Sequence, residues 1–240
     1  MRYLISISYD GSKFQGFQRL KENASVQKVI EDALTKINKD KVVIKGAGRT
    51  DRGVHALDQK AHFDLNINIT PEGLKKALNS LVKPYIYIND CKIVDENFHA
   101  RFCVKEKVYV YKINLGEYNP ILKDYVNQNV NNLDIKTMKK ASKVLLGVHN
   151  FKNFVSGERD NYDCIIYKIK FKVVNNILEI EFTGKSFYRY MVRNLVGALI
   201  EVGKHKINSE YLENMLENYD TVINLPTSDA CGLYLKQIKY

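Results

Sequence analysis

The stretch Gly46-Ala47-Gly48-Arg49-Thr50-Asp51-Arg52-Gly53-Val54-His55-Ala56 is the densest polar cluster in the sequence. It separates two apolar segments, Val42–Ile44 and Gln59–Leu65, which we predict to be a short buried strand and the strand that follows it. The three glycines of this loop permit tight turns and close approach of a ligand to the backbone. The two arginines beside Asp51 favour the ionised form of its carboxylate. An ordinary turn with a surface salt bridge would show the same residues, so physics alone leaves that interpretation open.

Working outward, the first half alternates strands with amphipathic helices. The alternation from Tyr3 to Tyr9 predicts a strand that Asp10-Gly11 stops. From about Ser25, apolar residues at helical spacing predict one helix, and Thr70-Pro71 starts another as N-cap and first helical residue. A further strand is predicted over Ile86–Val94.

The second half repeats this order loosely. The predicted elements are a strand over Val108–Leu115, a helix capped by Asp134 and closed by Gly147, two strands (Ile165–Val174 and Ile177–Phe182) joined by a tight turn at Asn175-Asn176, helices over Phe187–Val202 and Asn208–Leu216, and a last strand over Leu233–Ile238. We therefore expect an α+β fold of duplicated α/β halves that share a continuous, mainly antiparallel sheet with helices. Residues 1–104 would form the half that carries the Asp51 loop, and residues 105–240 would form the half that completes the cleft around it.

Composition indicates a polyanionic partner. The 240 residues contain 37 Lys and Arg against 27 Asp and Glu, a formal charge of +10. An excess of Lys and Arg of this size is typical of proteins that bind phosphate groups. A basic surface without such a partner would have the same composition. The four cysteines are scattered, without a C-x-x-C pair, and no nucleotide-binding motif occurs, so we expect neither a metal nor a cofactor. No signal peptide precedes Arg2 and no apolar run approaches a membrane span, which predicts a cytosolic protein.

Two further clusters combine aromatic and basic residues. Phe98-His99-Ala100-Arg101 leads into a segment in which Tyr109 and Tyr111 alternate, so both side chains lie on one face of a strand. That face could stack a base, or it could simply be core. In Ser186–Asn194, Arg189 and Arg193 are four residues apart, which predicts one helix face suited to phosphate contact. A solvated helix face is the alternative interpretation.

Several of these segments together resemble the bacterial tRNA pseudouridine synthase A family. The central signature is Gly48-Arg49-Thr50-Asp51-x-Gly53-Val54-His55. Further matches follow in order along nearly the whole chain: Tyr9-Asp10-Gly11-Ser12-Lys13-Phe14, Gly16-Phe17-Gln18-Arg19, Ser25-Val26-Gln27, Phe98-His99-Ala100-Arg101-Phe102, the paired tyrosines, Met191-Val192-Arg193-Asn194 and Gly232-Leu233-Tyr234-Leu235. Two positions depart from the pattern. Phe17 stands where the family usually has tryptophan, and Arg52 stands where bacterial members have a small residue, as in eukaryotic relatives with broader targets.

The resemblance implies the pseudouridine synthase fold and an isomerase that converts uridine to pseudouridine in the tRNA anticodon stem-loop, at positions 38, 39 and 40, without a cofactor. It implies that Asp51 starts the chemistry and that Arg193 forms its ion pair. Tyr109 would stack on the target base and assist proton removal from C5. Leu233 or Tyr234 would pack near the same pocket.

The resemblance also implies how the RNA is held. Arg49 would fill the space left by the flipped uridine. Phosphate contacts are expected from Lys13, Arg19, Arg101 and Arg189. The family is a homodimer whose subunits jointly hold tRNA. A protein of another class, a non-catalytic RNA-binding protein or tRNA chaperone on the same fold, remains the alternative.

Overall fold

A computed structural model describes residues 1–20, 24–218 and 225–240 of the protein. Its strands are β1 (Arg2–Tyr9), β2 (Lys45–Gly46), β3 (His55–Asp64), β4 (Ile86–Ile93), β5 (Glu106–Asn114), β6 (Gly147–Asn150), β7 (Asp163–Val174), β8 (Ile177–Gly184) and β9 (Leu233–Lys239). Its α-helices are α1 (Val26–Asn38), α2 (Pro71–Val82), α3 (Ile135–Ala141), α4 (Met191–Gly203) and α5 (Ser209–Glu217). Within the described ranges, every helix is too short or too polar to cross a bilayer.

The chain divides into two compact units, Met1–Lys105 with Tyr234–Tyr240, and Glu106–Leu233. In the first unit the strand order is β4-β1-β3-β9, and β2 pairs with β3. These pairs are antiparallel except for β3 and β9, which are parallel. Helices α1 and α2 pack together, and α2 covers β4. The buried side chains between helices and sheet include Tyr3, Ile5, Ile30, Phe63 and Leu74.

The second unit has the strand order β5-β8-β7-β6, and its neighbouring strands pair antiparallel. Asn175 and Asn176 have φ angles of 50° and 59°, which is the turn that a two-residue hairpin requires. Helix α3 packs on α4. The core of this unit contains the fully buried rings of Phe151, Phe154 and Phe182.

The predicted fold class is confirmed: the structure is α+β, with mainly antiparallel strands and helices in each unit. Three of the predicted helix starts are also confirmed. The side chains of Ser25, Thr70 and Asp134 each accept a hydrogen bond from a backbone amide in the first turn of their helix. The predicted hairpin at Asn175-Asn176 is confirmed by the pairing of β7 with β8.

The strand predicted over Val42–Ile44 is wrong. The only strand residues in this region of the described chain are Lys45 and Gly46. Side chains from α1 take the backbone donors instead, because Thr35 accepts from the amide of Val42 and Glu31 accepts from that of Ile44. Hydrophobicity identified the buried residues Val42 and Ile44 correctly, but it carries no information about which acceptor an amide finds.

The helix predicted over Phe187–Val202 begins later, at Met191. Tyr190, the N-cap, has a φ of 62°, in the left-handed region that a helix cannot continue through. Arg189 therefore lies outside the helix, and the prediction that it shares a helix face with Arg193 is wrong.

The last strand belongs to the first unit because β9 pairs with β3 at His55 and Ala56. The predicted boundary between residues 104 and 105 divides the chain only by sequence position. The prediction that it separates two functional halves stays a prediction.

Candidate active site

The loop that carries Asp51 is tied to β3 at its beginning. The amide of Ala47 donates to the carbonyl of Lys60 at 2.7 Å, and the side-chain amide of Gln59 donates to the carbonyl of Gly48 at 3.1 Å. Gln59 is fully buried, so the donor of this hydrogen bond is fixed by the core. The loop therefore leaves the sheet at a fixed angle rather than as a free surface segment.

The centre of the loop is anchored through Thr50, the residue before Asp51. Its buried hydroxyl hydrogen bonds with that of Tyr9 at 2.8 Å, and its carbonyl accepts from the amide of Phe17 at 3.1 Å. Burial raises the pKa of Tyr9, so the tyrosine stays protonated. Beyond Thr50, the amide of Val54 donates to the carbonyl of Asp51 at 3.2 Å and closes the turn. Asp51 itself is half-buried, between the exposed Arg49 and Arg52.

Two glycines allow the N-terminal segment to approach this loop. A Cβ at Gly11 would overlap the carbonyl of Val54, and a Cβ at Gly16, whose φ is 107°, would crowd the carbonyl of Thr50. The amide of Gly11 donates to Nδ1 of His55 at 3.1 Å. The same Nδ1 lies 3.5 Å from a carboxylate oxygen of Asp10. The ring of His55 also stacks on that of Tyr234, with 4.6 Å between the ring centres.

Phe17 supports the loop from inside the unit. Its side chain is buried, its ring packs against Gly46, and it lies 6.4 Å from the ring of Tyr9. The aromatic residue at this position, where the family usually has tryptophan, therefore has a packing role in this chain.

Sequence reasoning assigned no role to Tyr9, Gly11 or His55, although all three lie inside the motifs it recognised. They form the frame that fixes the backbone on both sides of Asp51. The sequence feature that could have indicated these roles was the presence of two family motifs, residues 9–14 and 48–55, in one chain.

The four basic residues expected to contact RNA from this unit differ in their surroundings. Arg49 and Lys13 are exposed, and the ammonium of Lys13 lies 5.8 Å from the ring of Tyr85. Arg101 is exposed beside Phe102. Arg19 forms an ion pair with the buried Glu31 at 2.9 Å, so part of its hydrogen-bonding capacity is already used.

The two tyrosines of β5 in the second unit have different environments. Tyr111 is fully buried, its hydroxyl donates to the carbonyl of Asp229 at 2.8 Å, and it accepts from the side-chain amide of Asn127 at 3.0 Å. Burial raises its pKa. Tyr109 is less deeply buried and meets the ring of Phe187 edge to face at 5.3 Å. The hydroxyl of Tyr111 is thus part of the unit's core.

Arg189 and Arg193 are brought together by an aromatic ring rather than by a helix face. Their guanidinium carbons lie 5.0 Å and 4.9 Å from the ring centre of Tyr190. Nε of Arg193 also donates to the carbonyl of Ser228 at 2.7 Å. Leu233, the other site residue expected from the end of the chain, is buried at the start of β9.

Arg159 is a further cation of this unit that sequence reasoning missed. Its guanidinium lies 4.1 Å from the ring centre of Tyr188, and its Nε is buried without a hydrogen-bond partner among the described residues. No local pattern connects residues 159 and 188, so the sequence offered no signal for this contact.

The comparisons with known proteins agree with the motifs. A family model described as tRNA pseudouridine synthase matches residues 5–103 and 141–240. The chain belongs to the tRNA pseudouridine synthase family. The resemblance expected from the sequence is thereby confirmed.

Curated relatives match over the full length. The chain is 36% identical to tRNA pseudouridine synthase A of Limosilactobacillus reuteri (strain DSM 20016), covering 100% of this chain and 96% of the relative. It is 38% identical to the protein of the same name from Mycoplasmoides gallisepticum, covering 99% and 90%. The Mycoplasma genitalium protein of that name is 36% identical, covering 100% and 98%. A solved structure, a Cbf5-Nop10-Gar1 complex, is 10% identical with a TM-score of 0.36 and covers 83% of this chain and 54% of that one.

Proposed function

We propose that this protein isomerises uridine to pseudouridine in the anticodon stem-loop of tRNA, at positions 38, 39 and 40. The observation that carries the proposal is the Asp51 loop. A half-buried carboxylate stands between two exposed arginines, on a backbone fixed by Thr50, Tyr9, Gly11 and His55. The relatives that match the chain over its full length are named tRNA pseudouridine synthase A, which supports the same reaction.

The reaction moves the uracil ring without a net change in composition. The bond from C1′ to N1 breaks, a bond from C1′ to C5 forms, C5 loses a proton and N1 gains one. In our proposal the Asp51 carboxylate starts this sequence, either by attacking C1′ or by removing a ribose proton. Both routes need a positioned carboxylate, and the loop frame supplies that position.

Tyr109 and Arg193 complete the proposed catalytic set. We assign base stacking and help with proton removal from C5 to Tyr109, because the hydroxyl of Tyr111 is already hydrogen bonded to Asp229 and Asn127. We assign to Arg193 the role of counter-ion for Asp51, on the strength of the family motif. Its guanidinium is oriented by Ser228 and Tyr190.

The remaining assignments concern tRNA binding. Arg49 would occupy the space of the flipped uridine, Leu233 would line the pocket, and the basic residues Lys13, Arg19, Arg101 and Arg189 would contact phosphates. Phosphate contacts of this kind are typical of proteins that recognise RNA by its shape and its backbone. We further propose a homodimer that acts in the cytoplasm, where tRNA is modified.

A release assay with tritium at C5 of uridine tests the catalytic proposal directly. Asp51→Asn should abolish tritium release and keep tRNA binding within about tenfold, since the amide keeps the shape and removes the nucleophile or base. Asp58→Asn, the same change at another half-buried carboxylate of the first unit, should still release tritium.

Normal tritium release by Asp51→Asn would contradict the assignment. Tight tRNA binding by the wild type without any tritium release would favour the alternative, a non-catalytic RNA-binding protein or tRNA chaperone. Mapping pseudouridines in the tRNA of a deletion strain would test the three positions.

A further inference from the structure

A strongly exposed aromatic ring lies at the end of the segment Phe98–Phe102. The side chain of Phe102 is 76% exposed, although a ring of this size is normally buried. One face of the ring stacks on His99, with 4.3 Å between ring centres and 29° between planes. The guanidinium carbon of Arg101 lies 5.9 Å from the Phe102 ring centre. We call His99, Arg101 and Phe102, with Lys45 and His62 beside them, the Phe102 platform.

The platform is rigid because its rings rest on one another and on the core. His99 contacts the ring of His62 at 4.7 Å, and His62 is almost fully buried in β3. Burial lowers the pKa of His62 to about 4, so that ring is neutral at neutral pH. Its Nδ1 accepts from the amide of Ala100 at 3.1 Å. The ring of Phe102 is therefore held in place by His99, and most of its surface stays exposed to solvent.

The turn itself is closed by hydrogen bonds to His99. The amides of Phe102 and Cys103 donate to the carbonyl of His99 at 3.1 Å and 3.0 Å, and the amide of Arg101 donates to its Nδ1 at 3.1 Å. An exposed aromatic on such a turn loses little conformational freedom when a ligand binds it, so stacking there costs little entropy.

The platform itself carries two cationic side chains, Lys45 and Arg101. Lys45 lies opposite His62 across β2 and β3, so the two side chains share a face of the sheet. Besides burial, the nearby Lys45, Arg2 and Arg101 lower the pKa of His99. Three carboxylates lie near Arg2: Asp64 is paired with it at 2.9 Å, and Asp95 and Glu96 are exposed beside it. Lys45 and Arg101 form no ion pair among the described residues.

We propose that the Phe102 platform binds an unpaired nucleobase of the tRNA substrate by stacking, while Arg101 and Lys45 contact the adjoining phosphates. A flat ring between unpaired cations fits a nucleotide, because every base offers a π-face and a phosphate lies next to it. A protein partner needs a wider apolar patch, whereas the neighbours of this ring are basic or polar. The inference rests on the proposed function for the identity of the RNA.

Substitutions at Phe102 test the stacking. Phe102→Ala should weaken binding of a tRNA transcript roughly 5- to 150-fold at fixed salt, the usual effect of removing a ring from one stacked base. Phe102→Trp should keep the affinity, because a larger ring stacks at least as well. Ile121→Ala, which removes a 79% exposed side chain that has no ring to stack, is the matched control and should bind normally.

Salt dependence separates stacking from charge. Phe102→Ala should leave the slope of log affinity on log salt unchanged, while Arg101→Gln should make it shallower by about 0.7 to 0.9, the contribution of one phosphate contact. Thermal unfolding of each variant shows whether the effects come from the folded protein.

The inference is overturned if Phe102→Ala binds tRNA as tightly as the wild type, or if Phe102→Trp binds as weakly as the alanine variant. A changed oligomeric state with unchanged tRNA affinity would also overturn it and assign the platform to a second copy of the chain. These outcomes are separate from the proposed function, whose failure would show as a wild type without tritium release, whatever the variants bind.

Discussion

The Asp51 loop of the first unit and the turn around Tyr190 in the second unit hold their charged residues in different ways. The loop is fixed by buried polar contacts on its backbone and on Thr50, through Tyr9, Phe17 and Gly11. In the turn, the half-buried side chain of Arg193 is held by the ring face of Tyr190 and by a hydrogen bond to the carbonyl of Ser228. A short carboxylate has to be placed by its backbone, whereas a long guanidinium can be directed along its own length. The loop should therefore be sensitive to backbone changes and the turn to changes of side chain.

The largest effect is expected from Gly11→Ala, which adds a Cβ where the carbonyl of Val54 lies. The backbone must shift, so we expect a loss of about 3 kcal/mol in unfolding free energy, at the upper end for overpacking, and a strong loss of tritium release. Gly116→Ala is the control, because its new Cβ would have neighbours no closer than 3.5 Å. Denaturant unfolding measures both, and equal stabilities would mean that the close approach at Gly11 does not constrain the loop.

A smaller effect is expected from Arg193→Met, which removes the charged hydrogen bond to Ser228 and the contact with Tyr190. We expect a loss of about 2 kcal/mol in unfolding free energy and, under the proposed function, loss of tritium release. Arg193→Lys keeps the charge without the planar donor group, and it should fall between the wild type and Arg193→Met in both measurements. Wild-type stability in Arg193→Met would show that the turn does not depend on this side chain.

The smallest effect is expected from Tyr111→Phe, compared with Tyr109→Phe. Removal of the Tyr111 hydroxyl leaves the buried amide of Asn127 without that acceptor, which should cost about 1.5 kcal/mol in unfolding free energy. Single-turnover assays on the folded variants should find normal chemistry in Tyr111→Phe and a stall at proton removal in Tyr109→Phe. The reverse result would show that Tyr111 is the tyrosine that acts on the base.

Sequence patterns predicted the parts of the fold that depend on neighbouring residues. The caps at Thr70 and Asp134, the start of a helix near Ser25 and the turn at Asn175-Asn176 were predicted correctly, because each depends on a hydrogen bond or a backbone angle within a few residues. The family was also identified from the sequence, since several specific motifs occur in order. The failures, at Val42–Ile44 and at the start of α4, occur where Glu31 and Tyr190 change the local preference.

By itself the sequence determined the α+β class, the Asp51 loop and the family, because these are set by periodicity and by motifs within short segments. Only the tertiary structure decided that Tyr111 bonds to Asp229, 118 residues away, and that Phe102 stands exposed on a stack of buried and half-buried rings. Such contacts depend on which distant segments the sheet brings together, and the partners leave no periodic signal in either segment. Burial and the identity of a hydrogen-bond partner are properties of the folded neighbourhood, so they follow from the fold rather than from local residue order.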